Sequence, residues 1–407
     1  MLLNSQLWGI LPPPAADGKP RLWQYVRAAH GAAAAGRIEL SDVEARVWCL
    51  LGRKAGDNTQ VRALATALGL GFEEKTIQAR AWELLAHLGP AATLAGIRRG
   101  ASSALQPPWP DLVISAGRRN EPVAQWIRKQ SGGRTRLVHL GRPWAALERW
   151  DLLITTPQYF LPRRDNILHN SLPLHSGSRE QFAQAGERWR RRFERLPRPW
   201  IAVLAGGDSG RFVMTAEKAA RLGGLASDLA DMTGGSLLVT DSARTPVEAG
   251  GVLETSLGAP NYCFRYRRRG PNPYHGLLAL ADAFIVTGES MSMLGEAADT
   301  GRPLFIFDLG DGGTPWWRLA HGWRYKPLSD RLAMRLGPRR MRRDIGRIQA
   351  ALVDAGRAQW LHEGGLDAAA RAIGAAPARG SVEDVESAAA RELRASAEAV
   401  RRLVTAR

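Results

Sequence analysis

From residue 45 onward, short runs of apolar residues alternate with stretches in which apolar side chains recur every three or four positions. Val47 to Leu51, Asp111 to Ser115, Leu137 to Leu140 and Leu152 to Ile154 are strand-length runs with little polar alternation. That is the pattern of strands buried on both faces of a parallel sheet. Phe72 to Ile77 reads as a further strand. Between them lie helical patterns: Val61, Leu64, Ala65 and Leu68 share one face ahead of Gly69, and Val123, Trp126 and Ile127 share another. A charged helical stretch at about 176–197 ends at Pro197 and Pro199, and the alternation then restarts. Trp200 to Leu204, Ser236 to Thr240, Cys263 to Tyr266, Ala283 to Val286 and Leu304 to Phe307 read as strands, with a long helix from Thr215 to about Met232.

This order predicts an α/β protein with two Rossmann-like, doubly wound halves facing a cleft. The expected layout is an irregular extension at 1–44, a first Rossmann-like domain at 45–175 and a connector at 176–198. A second Rossmann-like domain follows at 199–335, then C-terminal helices at 336–407. The length of 407 residues suits two to three domains.

Charge changes the picture in one respect. The chain carries 56 Lys and Arg against 39 Asp and Glu, a formal net charge of +17. Such a surface favours polyanions: phosphorylated substrates or an anionic membrane face. The basic residues fall in local clusters (188–192, 265–269, 339–343), and a generally basic soluble surface accounts for them equally well. Charge alone does not imply specific nucleic-acid binding. Cys49 and Cys263 lie far apart in apolar segments and read as buried thiols in a reducing compartment. No Cys/His spacing suits zinc, no secretory signal is evident, and no run reaches the 18 apolar residues of a membrane span. The expectation is a cytoplasmic protein without metal or bound cofactor, any membrane contact being peripheral at the inner face.

Ligands of open parallel sheets bind beyond the carboxyl ends of the strands, so the turns there carry the candidate chemistry. Gly206, Gly207, Asp208, Ser209 and Arg211 form a Gly-rich turn whose N–H groups and guanidinium suit phosphate oxygens. It is neither a P-loop nor GxGxxG, and a structural turn is the plainer reading. Thr287, Glu289, Ser290 and Ser292 follow a strand and open a helix, where hydroxyls and a helix N-terminus suit a phosphate. Glu296, two turns along, suits the hydroxyls of a ribose. The plainer readings are an N-cap for Ser290 and a solvated helix residue for Glu296. Arg244, after another strand, lies where it could reach the same cleft, and a plain turn accounts for that segment equally well. In the first half, Asp57 is the most base-like residue, or else an N-cap. Arg53, Lys54, Asn58, Arg118 and Arg119 lie on the same rim, whose positive charge suits an anionic acceptor.

The segments VWCLLGRKAGDNTQVRALATALG, PDLVISAGRRNEPVA, WIAVLAGGDSGRF, LLVTDSARTP and ADAFIVTGESMSMLGEAADTGRPLFIF resemble the ELM-type family. That family includes a plant mitochondrial fission factor and bacterial proteins described as glycosyltransferases. The second half is also similar in layout to the peptidoglycan N-acetylglucosaminyltransferase and the lipid A disaccharide synthase. The resemblance implies a GT-B fold with a nucleotide-sugar donor on the second domain, the Gly206 to Ser209 turn facing the diphosphate and Glu296 the ribose. Where the peptidoglycan enzyme has a His near its acceptor, this loop presents Asp57. The implied activity is inverting, metal-independent sugar transfer to a cell-envelope glycan or lipid-linked acceptor. Two alternatives stand beside it. One is a non-enzymatic recruitment factor at a membrane surface, and the other is a nucleotide-sugar epimerase of the same fold.

Overall fold

A computed structural model describes residues 45–80, 92–175, 179–210, 212–310, 332, 334–338, 342–377 and 387–405. These belong to one compact unit spanning 45–407. The extension at 1–44 lies outside them, as does Arg211.

The first half is built on β1 (Val47–Leu51), β2 (Phe72–Thr76), β3 (Leu112–Ala116), β4 (Arg136–Leu140), β5 (Leu152–Thr155) and β6 (Ile167–His169). Their order is β2-β1-β3-β4-β5-β6, every pair parallel. The second half is built on β7 (Trp200–Leu204), β8 (Ser236–Thr240), β9 (Asn261–Phe264), β10 (Ala283–Thr287), β11 (Leu304–Phe307) and β12 (Gln359–Leu361). Their order is β12-β11-β10-β7-β8-β9, again all parallel. Winding reverses direction between β1 and β3 in one sheet and between β7 and β10 in the other. The two-half, doubly wound α/β fold is the one the apolar runs predict.

The helices are α1 (Ala55–Leu68), α2 (Glu121–Gln130), α3 (Arg179–Phe193), α4 (Ala216–Thr233), α5 (Val247–Thr255), α6 (Tyr274–Leu280), α7 (Met291–Asp299), α8 (Gly346–Asp354), α9 (Leu366–Gly374) and α10 (Ala388–Thr405). Alternate residues of β7 serve opposite faces of their sheet. Ile201 and Val203 pack with Ala219, Leu222 and Leu229 of α4, while Ala202 and Leu204 pack with Leu294 and Ala297 of α7. Double-sided burial explains why these strands are apolar throughout, and each such side chain contributes about 1.5–3 kcal/mol. Thr215 caps α4, accepting the Lys218 N–H at 3.2 Å.

The structure adds detail the pattern does not carry. β6 and β12 are three-residue edge strands, and β12 extends the second sheet into the tail, which is therefore not helical throughout. The charged stretch expected as a connector forms α3, which lays Trp189 and Phe193 into the second half's core beside α6. α10 returns to the first half and packs on α1. Its Arg401 donates to the carbonyls of Leu68 and Ala67, and its Ser396 hydroxyl accepts from Asn170 at 3.1 Å. Cys49 is fully buried and Cys263 only partly. Desolvation pushes both thiols up to about 12, so neither is a ready nucleophile.

Candidate functional site

Each half carries its candidate residues at its own reversal of winding. In the first half, the turn after β1 is clamped by Asn58, whose side-chain oxygen accepts the Gly52 N–H at 2.9 Å while its amide donates to the Gly52 carbonyl at 2.8 Å. Asn120, after β3, donates across the gap to Leu50 at 3.0 Å. The two turns therefore form one rigid rim. Lys54, not Asp57, stands at the N-cap position of α1 and makes no side-chain cap. Asp57 lies in the first turn, near Gly117, where an added Cβ would come 2.7 Å from its Oδ2. Its other neighbour is the Lys54 ammonium at 3.9 Å. Asp57 draws the Lys54 pKa up, but desolvation and the nearby cations Arg343, Arg118 and Arg119 outweigh it and the net shift is downward. Arg118 also stacks over Trp144, 4.8 Å from the ring centre. Arg53 is exposed at the tip of the turn.

Arg343 is a participant that sequence reading does not single out. It reaches this rim from the tail, donating to Gln158 at 2.8 Å. Only its membership of the basic run 339–343 hints at a role.

In the second half, the turn after β7 is held inside the protein. Gly206 N–H donates to Thr287 Oγ1 at 2.7 Å, and Gly207 N–H to Glu289 Oε1 at 2.6 Å. Asp208 N–H donates to the Arg244 carbonyl at 3.2 Å, and Ser209 N–H to the Phe212 carbonyl at 2.9 Å. Asp208 Oδ1 accepts the Met214 N–H at 3.1 Å. The hydroxyls of Ser242 and Thr245 both donate to the Gly206 carbonyl. Glycine is required twice here. A Cβ on Gly206 would overlap Glu289, and Gly207 has φ +145° with Arg244 backbone 2.4 Å from where its Cβ would stand. All four N–H groups expected to face a diphosphate are thus engaged within the protein.

The N-terminus of α7 is different. Ser290 occupies the N-cap position without a side-chain cap, and neither its hydroxyl nor that of Ser292 has a hydrogen-bond partner among the described residues. The first N–H groups of any helix lack an intrahelical acceptor. Below this end, Glu296 is not a solvated helix residue. It accepts a hydrogen bond from the Tyr274 hydroxyl. Burial raises its pKa to about 7, against the lowering effect of that bond. Tyr274 lies 22 positions from Glu296 and has no signal in the sequence beyond being aromatic.

Glu289 is the most buried acid of the site. Its carboxyl is fully enclosed, Oε1 takes the Gly207 N–H and the Arg244 guanidinium at 3.3 Å, and Oε2 has no partner. Desolvation raises its pKa against the pull of Arg244 and Gly207. Arg244 also donates to the Asp208 carbonyl at 3.2 Å.

The two halves meet at these turns. A Cβ on Gly56, in the first turn of α1, would stand 3.0 Å from Ser292 Oγ. The first turns of α1 and α7 therefore lie next to each other. Ser115 and His139 mimic a nucleophile and base, with Oγ and Nδ1 2.9 Å apart, but both are fully buried in the first sheet. Burial pushes His139 down to about 3. Asp308 accepts the Gly310 N–H at 2.7 Å. Among the described residues, no group of three or more His, Cys, Asp or Glu is gathered to hold a metal, and no helix is long and apolar enough to cross a membrane.

Two parallel sheets, each doubly wound, define a two-half, Rossmann-like α/β protein. The family model described as "Mitochondrial fission ELM1" matches residues 55–373, and the chain belongs to that family. It is 28% identical to "Mitochondrial fission protein ELM1" of Arabidopsis thaliana over 238 residues, 53% of this chain and 55% of that protein, so the match spans about half the relative's length. Among solved structures it is similar to the UDP-GlcNAc 2-epimerase of Methanocaldococcus jannaschii, with 11% identity, TM-score 0.49, 88% of this chain and 99% of that one. It is also similar to MurG of Acinetobacter baumannii, with 11% identity, TM-score 0.42, 89% of this chain and 100% of that one.

Proposed function

We propose that this chain is an inverting glycosyltransferase that takes a nucleotide-sugar donor and a glycan or lipid-linked acceptor, without a metal. One observation carries the reading. The N-terminus of α1, with Asp57, and the N-terminus of α7, with the unpartnered hydroxyls of Ser290 and Ser292, lie side by side: a Cβ on Gly56 would stand 3.0 Å from Ser292 Oγ. A base and an anion seat on opposite walls are what transfer from a nucleoside diphosphate requires. Asp57 takes the proton of the acceptor hydroxyl. That oxygen attacks the anomeric carbon, the bond from that carbon to the diphosphate breaks, and its electron pair leaves with the diphosphate. The α7 terminus, Ser290 and Ser292 meet the charge that develops there. Glu296 holds ribose hydroxyls. Lys54, Arg118, Arg119 and Arg343 give the acceptor wall a positive face that fits an anionic acceptor or membrane surface.

A second reading has its own observation. With all four N–H groups of the Gly206–Ser209 turn engaged, the second half also suits a member that keeps the fold and recruits a partner protein, in line with the fission role named for the plant relative. Thermal shift against UDP-, GDP-, CMP- and dTDP-sugars, with Glu296→Ala alongside, separates the two. A rise with one nucleotide that Glu296→Ala abolishes supports the transferase. No rise with any donor overturns it and leaves recruitment, which Glu296→Ala would then leave intact.

A further inference from the structure

Glu289 lies where a ligand phosphate would be expected. Any anion seated on the Gly206–Gly207 turn would use the Gly207 N–H and the Arg244 guanidinium, and Glu289 Oε1 already holds both, at 2.6 and 3.3 Å. The carboxyl is fully enclosed, yet its second oxygen has no partner. A purely structural acid in such a place would be expected to satisfy both oxygens. The backbone around it is pinned. Gly288 N–H donates to Phe307, the Gly288 carbonyl accepts from Gln349 at 2.6 Å, and Ser290 N–H donates to Thr287. The Glu289 carboxylate is thus held on a fixed stretch of backbone.

We propose that Glu289 is a built-in surrogate anion, which occupies the phosphate seat of the Gly206–Gly207 turn and Arg244 until the diphosphate of a nucleotide ligand displaces it. This rests on the nucleotide-sugar reading above and gives Glu289 a specificity role within it. A ligand must bring enough negative charge to outcompete an internal carboxylate, so a diphosphate is accepted where a weaker anion is not. Desolvation, which raises the Glu289 pKa, makes the side chain easier to neutralise as the ligand arrives.

Calorimetric titration of the full chain with inorganic pyrophosphate and with UDP tests it. Glu289→Gln keeps the shape and removes the charge, and should bind pyrophosphate at least about tenfold more tightly than the parent. Adding Arg244→Met should remove that gain, which ties it to this seat. If Glu289→Gln binds no better than the parent while the parent binds UDP, Glu289 is a structural acid and the proposal fails alone. If neither protein binds pyrophosphate or any nucleoside diphosphate, the nucleotide-sugar reading fails with it. Should Glu289→Gln not fold, Glu289→Asp, which retracts the charge by one methylene, takes its place with the same expected gain.

Discussion

The two reversals of winding are built on the same plan and finished in opposite ways. At the first, Asn58 and Asn120 brace the turns from beneath, and the charged side chains Arg53, Lys54, Asp57, Arg118 and Arg119 are left at the rim. At the second, the turn itself is consumed: every N–H from Gly206 to Ser209 has a protein acceptor, and the acid between them is wholly enclosed. The difference separates two kinds of readiness. A rim of side chains over a braced turn keeps its charged groups at the surface while the backbone beneath stays fixed. A turn already satisfied from within exchanges partners only with a ligand that offers something stronger.

The sharpest way to break this comparison is at the open rim. Asp57→Asn should lower the transfer rate by about 10²–10⁴-fold while the melting temperature stays put, because the Lys54 pair is solvent-screened. A steady-state assay with the donor found by thermal shift checks it. An unchanged rate would remove Asp57 as the base. Next comes a matched pair of glycines. Gly207→Val combines a strained φ of +145° with a clash against the Arg244 backbone and should cost about 3 kcal/mol or more in denaturant unfolding. Gly52→Ala, whose new Cβ would meet only the Asn120 side chain at 3.5 Å, should cost less than about 1 kcal/mol. Equal costs would show that the two turns are not finished differently.

Glu296 sharpens the comparison through pH. Its pKa of about 7 in the folded protein lies above the ordinary 4.5, so the folded state holds this proton more firmly than the unfolded chain does. The stabilisation from that proton is full below pH 4.5 and is lost as pH rises through 7, by roughly 3 kcal/mol. Urea unfolding from pH 4 to 8 should therefore fall more steeply for the parent than for Glu296→Gln, and parallel curves would contradict it. A smaller effect than that of Glu296 is expected at the brace. Asn58→Ala removes two hydrogen bonds to Gly52 and should lower stability by about 1–2 kcal/mol, read as a shift in denaturant midpoint.

How much of this is legible in the sequence follows from how local each feature is. The strands buried on both faces announce themselves as unbroken apolar runs, and the Gly-rich turn stands directly after one. β6 and β12 do not, because three residues at a sheet edge are too few to make a run. The sequence brings Thr287, Glu289, Ser290 and Ser292 to notice as a group, since they open a helix after a strand. It does not say that Glu289 turns inward while the serine hydroxyls stay free, nor that Tyr274 covers Glu296. Those depend on which side chain fills a space that only the assembled sheet creates. The engagement of the Gly-turn N–H groups is hidden for the same reason: their acceptors come from residues 36–82 positions away as well as from the turn itself.

The return of α10 sets the mechanics of the molecule. The chain leaves the first half after β6, builds the second, and comes back to lay Arg401 and Ser396 against α1 and Asn170. On the way, Arg343 and Asp344 also touch down on Gln158. The two halves are therefore joined by more than the chain crossing ahead of α3: contacts at two further, separated points tie them together, so a cut in that crossing would not by itself release one half from the other.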